Sequence, residues 1–354
     1  MSQLARVTKV KTLTATRRVR ALARSGQIVV PVGQTVAPAQ VVAHGPAASA
    51  YRIIPAGEIL KAPPEKIKQY LLVKEGATLE RGTPLLRKPR RFGRAKIYRS
   101  PLEGTLDYVR DGTLVLRRAG KVEEVRALLT GQVVSIIPDK GVIIESVGSL
   151  IQAVWDSGKS AVGRLMAPAG NAEDELTIED LGPEASGAVC IAGYVTSAEA
   201  LESLEERGAR GLVAGSMPAE LCLKARSLSY PVLLTEGVGR KTMAEPIFEL
   251  LNRLEGREVS LLAESQIYRP QPAEIIIPLP TSGPLTQTEM KDSLQPGSLV
   301  RLLGLGDQTT LGRVAKMHAR PRRTAHGGMA PGADVVLADG RAMFIPYANL
   351  DIIG

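Results

Sequence analysis

The sequence predicts a multidomain chain: an all-β N-terminal region, a small central α/β unit on a parallel sheet, and an all-β C-terminal unit. Three observations predict it. Short apolar runs punctuated by glycine fill residues 26–130. Strand-like and helix-like runs alternate over residues 188–265. Short β-type runs return over residues 296–354, after a proline-rich stretch. At 354 residues the chain is long enough for several units, each with its own core.

Charge is unevenly spread. The net charge is +9, made of +16 over residues 1–130, −10 over 131–290 and +3 over 291–354. A basic end beside an acidic middle points to a polyanionic partner or to attraction between units, with an arginine-rich solvated surface as the plain reading. No apolar run approaches the ~20 residues of a membrane span, and the basic N-terminus lacks a signal-type apolar segment. Cys190 and Cys222 stand alone in apolar contexts, which predicts free thiols in a reducing cytoplasm. His44, His318 and His326 are scattered, so no metal site is expected.

Residues 1–25 form a basic N-terminal arm without a single acid, and Arg17 and Arg18 lie in it. The segment reads as a loose arm or an edge strand, and its cations suit phosphate. Residues 26–130 carry two similar turn patterns. Gly33, Val36, Ala39 and Val42 make one; Gly76, Leu79, Gly82 and Leu85 make the clearer other. Glycine suits such turns because they require positive φ. Pro63 and Pro64 start a short helical insertion between them. A basic hairpin over 87–99 holds Arg90, Arg91 and Arg94, and Ser100-Pro101-Leu102-Glu103-Gly104 returns the chain to a strand. Asp111-Gly112 marks the next hairpin turn.

These turns, the hairpin and the Ser-Pro-x-x-Gly return resemble the biotinyl/lipoyl-type barrel-sandwich hybrid fold, over residues 26–118. In cofactor-carrying members of that family a lysine at the hairpin tip is modified. Lys88 and Lys96 lack the acidic or methionine-flanked setting, so the resemblance implies the fold used without its cofactor, and no cofactor is assigned.

Residues 131–170 read as a small β module or as the far half of the first one, with turns at Asp139-Lys140-Gly141 and Asp156-Ser157-Gly158, and with Trp155 packed under a turn. Residues 171–187 are acidic and read as a linker. In the α/β unit, strands are predicted over 188–192, 212–214, 231–234 and 259–262. Helices are predicted over 197–207, 218–227 (with Ser216 as N-cap) and 244–254. Function in such sheets gathers at the carboxyl ends of strands. Ser216, Thr235, Gly237, Gly239, Arg240 and Lys241 lie there and precede a helix, a setting for an anion or small ligand; a structural turn is the other reading. Glu236 has no His or Cys partner and receives no catalytic role.

Residues 266–295 read as a proline-rich linker holding one strand at 274–277. Residues 296–354 carry a Pro-Gly entry, Gly312 before a strand, an Asp339-Gly340 hairpin and Pro346 before the last strand. This resembles the KOW/SH3-like barrels of transcription elongation factors and ribosomal proteins. Its basic insertion supplies Arg320, Arg322 and Arg323, which join Arg17, Arg18, Arg90, Arg91 and Arg94 as polyanion-binding candidates.

No nucleophile–base–oxyanion constellation and no metal-ligand spacing is visible, so no catalytic residue is assigned. The chain reads as a non-catalytic cytoplasmic adaptor or scaffold of interaction modules, with a protein partner and no membrane span. Two alternatives stay open: a nucleic-acid-binding KOW-type factor associated with transcription or translation, and a ligand-binding or enzymatic α/β unit acting on an anionic small molecule.

Overall fold

A computed structural model describes residues 5–47, 50–90, 93–118, 120, 122–168, 170–263, 272–280, 293–304 and 309–354. Strand makes up 47% of it and helix 14%, so the chain is mainly β, arranged in several sheets. Among the described residues no helix is long and apolar enough to cross a membrane.

The longest sheet is built on the strand Gly141–Gln152, whose nearly unbroken apolar run suits burial on both faces. The N-terminal strand Val10–Ala21 runs antiparallel along one edge of it. The other edge takes Gly131–Ile137 over its first half and Glu274–Pro278 over its second. The sheet continues through Glu258–Leu262, Ala161–Met166, Ala188–Tyr194, Gly211–Met217, Val232–Val238 and Trp155–Asp156. Ala161–Met166, Ala188–Tyr194, Gly211–Met217 and Val232–Val238 are mutually parallel, and the helices Ala198–Glu206 and Ala219–Ser227 connect the last three. Their Leu201, Leu204, Leu221 and Ala225 bury with Cys190 and Ala192 on one face. The helix Glu245–Arg253 buries Ile247, Phe248 and Leu251 with Val189 and Ile191 on the other. Alternate residues of one strand thus serve two cores.

Three expected segments find their place in the structure. Of the two readings for residues 1–25, loose arm or edge strand, Val10–Ala21 takes the second, because its alternating residues find a full-length partner in Gly141–Gln152. Of the two readings for 131–170, the far half of the first module fits Gly131–Ile137, which pairs with Thr35–Val36 and shares its core, and the later strands belong to the same sheet as the parallel ones. The expected linker at 171–187 buries Ala172, Leu176, Leu181 and Ala185 in the two central cores. Its acids dominate the composition, but its apolar residues decide its place. The strand Glu274–Pro278 matches expectation closely; most of the remaining 266–295 linker lies outside the described residues.

The N-terminal β region holds two nested copies of one pairing pattern, with two cores. In the inner copy Thr78–Leu79 pairs with Gly104-Thr105, and the Gly76 amide donates to the Leu106 carbonyl. In the outer copy Thr35–Val36 pairs with Gly131-Gln132, and the Gly33 amide donates to the Val133 carbonyl. Both leading glycines have positive φ, +85° and +89°. The inner copy carries a hairpin, Pro84–Lys88 with Lys96–Arg99. The outer copy carries the corresponding pair Val41–Pro46 with Val122–Arg126, and the whole inner unit is inserted at its tip. The two half-motifs, expected to share one sandwich, therefore build separate cores around Val36 and Leu79.

The C-terminal sheet runs Arg6–Thr8, Leu350–Ile353, Leu299–Leu302, Thr310–Met317, Gly332–Leu337, Ala342–Pro346. Among the described residues it does not close: its two edges, Arg6–Thr8 and Ala342–Pro346, stay unpaired with each other. Its first strand comes from the other end of the chain and runs parallel to Leu350–Ile353.

Candidate functional site: a closed ionic junction and an open basic groove

The strand ends of the parallel sheet gather the predicted anion-site residues, but they close on themselves. Ser216 is buried and does not cap the following helix, where Pro218 occupies the N-cap position. Its hydroxyl instead donates to the Lys241 carbonyl (2.7 Å) and accepts from the Lys241 amide (2.6 Å), which fastens the loop over the strand end. Gly237 and Gly239 take φ of +91° and +139°, so the loop needs glycine at both. The Arg240 guanidinium lies 5.7 Å from the Tyr194 ring. The anion beside the next helix is the protein's own: Glu236 Oε1 accepts from the Ala244 amide at 3.1 Å, where Ala244 is the N-cap of Glu245–Arg253.

The other oxygen of Glu236 meets Arg301, which reaches across from the C-terminal sheet. Arg301 also pairs with Asp351 and donates to the Thr235 carbonyl at 2.8 Å. Thr8 donates to Asp351 at 2.9 Å, and Thr309 donates to the Thr242 carbonyl at 2.7 Å. The three charged side chains are 4%, 0% and 1% exposed for Arg301, Glu236 and Asp351. Burial by itself would lower the Arg301 pKa; Glu236 and Asp351 outweigh it and raise the pKa above the ordinary arginine value. Every donor of the guanidinium is engaged by the N-terminal strand, the central sheet or the C-terminal sheet. This is a joint between units, in which one guanidinium bridges two carboxylates.

Sequence reasoning did not find Arg301, Asp351, Thr8 or Thr309. A signal was present: Arg301 interrupts Leu299-Val300 and Leu302-Leu303, and Asp351 interrupts Leu350 and Ile352-Ile353. Opposite charges inside two apolar strands of one sheet invite pairing, because neither can be buried alone.

A groove of about 280 Å³ lies along the ribbon made by Val10–Ala21 and Gly141–Gln152. Lys9, Lys11, Arg17, Arg18, Gln152 and Glu274 supply its charged and amide lining. Register shows why a groove forms. Arg18 lies opposite Ile144, and Glu274 lies opposite Gln152. Along a straight strand those positions would be roughly 26 Å apart, yet Arg18 and Glu274 form an ion pair. The ribbon therefore curls toward the face that carries them. A bulge between Gly148 and Leu150 supplies bend, and the Ser149 hydroxyl donates to the Thr12 carbonyl there at 2.6 Å. Outside the lining, Arg17 pairs with Glu145 at 2.6 Å.

The other basic candidates lie on separate elements. Arg90 and Arg94 are exposed at the tip of the inner hairpin, and Arg91 lies outside the described residues. Lys88 donates to the Leu60 and Lys61 carbonyls at 2.8 and 2.7 Å, and Lys96 to that of Ile59, so both hold the end of the helix Ala56–Leu60. Arg320 is exposed; Arg322 and Arg323 form a two-residue ribbon with Met329–Ala330. Arg322 is held by Asp334 and His318, each at 2.9 Å, and lies 5.3 Å from the Phe344 ring. Among the described residues no group of three or more His, Cys, Asp or Glu is placed to hold a metal ion. No protein-family model and no curated protein matches the chain.

Proposed function

We propose that the chain is a non-catalytic scaffold whose jointed units capture an anionic partner through the basic groove. One observation carries the reading: the guanidinium and carboxylates at the strand ends are held in a buried joint, while the groove lining is basic among the described residues. Within this reading the nested copies are barrel-sandwich-like units, supported by their shared turn pairing, and the C-terminal sheet is an opened relative of the SH3-like barrel, supported by Gly312 and the Asp339-Gly340 hairpin.

The test is retention on immobilised heparin at low salt, beside incubation with nucleotides and phosphate esters followed by mass spectrometry. The scaffold reading expects retention and unchanged small molecules. Flow-through at low salt overturns it, and so does turnover that disappears in Glu236→Gln.

A further inference from the structure

We infer that the free edge of the inner unit's sheet takes up an extended segment of a partner protein, alternating apolar and acidic residues, as an added strand. The site lies apart from the groove, since none of its residues lines it. The strand Tyr51–Ile54 is the edge of a four-stranded sheet; Thr113–Arg118 lies beside it, with Gly104–Arg110 and Thr78–Leu79 beyond. The Arg118 amide donates to the Ala50 carbonyl. In an antiparallel ladder, bonded and non-bonded pairs alternate. Counting from Ala50, the register turns the backbone groups of Arg52 and Ile54 toward Thr113–Arg118, and the amides and carbonyls of Tyr51 and Ile53 outward. Among the described residues no strand pairs with that side.

The side chains mark the same edge. Ile54, Leu106, Leu114 and Leu116 enter the core. On the other face Ile53, Val115 and Tyr108 stand in one cross-strand row, with Tyr51 two residues along from Ile53. Ile53 is 66% exposed, Tyr51 56% and Tyr108 50%. The solvent face of such a sheet is ordinarily polar, and a free edge is ordinarily blunted by charge or proline. Here two large apolar side chains flank a single arginine. An added strand would bond the outward main-chain groups, and its side chains of one parity would extend the apolar row. Those of the other parity would meet Arg52, which is exposed between Tyr51 and Ile53. Residues 51–118 hold 16 Lys and Arg against 7 Asp and Glu, a net +9. An acid opposite Arg52 is therefore matched locally and by the field of the unit. A second copy of the chain is not. Pairing two such edges about a two-fold axis, in the register that uses every outward group, sets Arg52 opposite its own counterpart and brings two +9 units together.

The experiment measures binding of the full chain to a fluorescein-labelled Val-Glu-Val-Glu-Val peptide by anisotropy. Two further peptides accompany it, one with Lys in place of Glu and one N-methylated at its valines. The Glu peptide is expected to bind. N-methylation removes the bonds to the edge and is expected to weaken binding by about tenfold. Ile53→Lys is expected to weaken it by about tenfold as well, whereas purely ionic capture of an anionic peptide would gain from the added cation. Arg52→Glu is expected to shift preference toward the Lys peptide by roughly fivefold. Both positions are exposed, and urea midpoints check that the variants stay folded. Should a midpoint fall, the N-methylated peptide on the unaltered chain still decides. Equal binding of the N-methylated peptide overturns the inference, and so does undiminished binding by a folded Ile53→Lys protein. Failure of the Glu peptide to bind overturns it too. A dimer in sedimentation that Ile53→Lys dissolves assigns the edge to a second copy and also overturns it. Heparin retention, which tests the groove, stands apart from each of these results.

Discussion

Arg301 is the residue on which three parts of the chain meet. Taking a guanidinium and two carboxylates out of water costs several kcal/mol per ion, and only a complete set of partners offsets it. Removing Arg301 would leave Glu236 and Asp351 buried and facing no cation. Arg301→Ala is expected to lose about 3–5 kcal/mol in urea unfolding. Arg301→Lys is expected to recover only part of that, because one ammonium cannot span both carboxylates as the planar fork does. Cys190 makes the opposite case, a residue kept silent by its surroundings. Burial, with Glu184 adding to it, pushes its thiol up to about 12. A raised thiol pKa means less thiolate at a given pH, and the sulfur is buried as well. Burial also raises the Cys222 thiol, against Arg226. Titration with a disulfide reagent at pH 8 should leave Cys190 unmodified in the native protein and count both thiols in denaturant.

At the scale of elements, the curled ribbon depends on Gly148. A β-carbon there would sit 2.0 Å from the Ile277 carbonyl oxygen, a backbone atom with no freedom to yield. Gly148→Ala is expected to destabilise by at least about 1–3 kcal/mol and to weaken polyanion capture, read by unfolding and by heparin retention together. Elements were also the most legible level in the sequence. Helices expected over 197–207, 218–227 and 244–254 appear as Ala198–Glu206, Ala219–Ser227 and Glu245–Arg253. Asp111 and Gly112 take φ of +48° and +74°, as a two-residue hairpin turn requires. The basic residues of the groove were legible too, through Arg17 and Arg18, but the groove was not. It exists because Arg18 and Glu274, 256 positions apart, are brought together by a bend.

For the whole molecule, the N-terminal segment works as a strap. Arg6–Thr8 joins the C-terminal sheet and Val10–Ala21 joins the central one, while Thr8 completes the Arg301 joint. Deleting residues 1–9 removes an edge strand and a buried hydrogen bond. Amide exchange at Leu350–Ile353 is expected to accelerate well before it does in Ala188–Tyr194; equal protection in the two strands would contradict the strap.

Local chemistry in the sequence determined the turns, the helices and the mainly β character, because glycine conformation, capping and apolar period act over a few residues. It also placed the net positive charge at the N-terminal end. Tertiary structure alone decided that residues 171–187 enter a core, that one half-motif is inserted in the hairpin of the other, and that Glu236 spends its charge on Arg301. Strand partners here lie up to 345 positions apart, as Arg6 and Asp351 do. Many β segments share the same alternation, so their pairing is settled by packing of the entire chain.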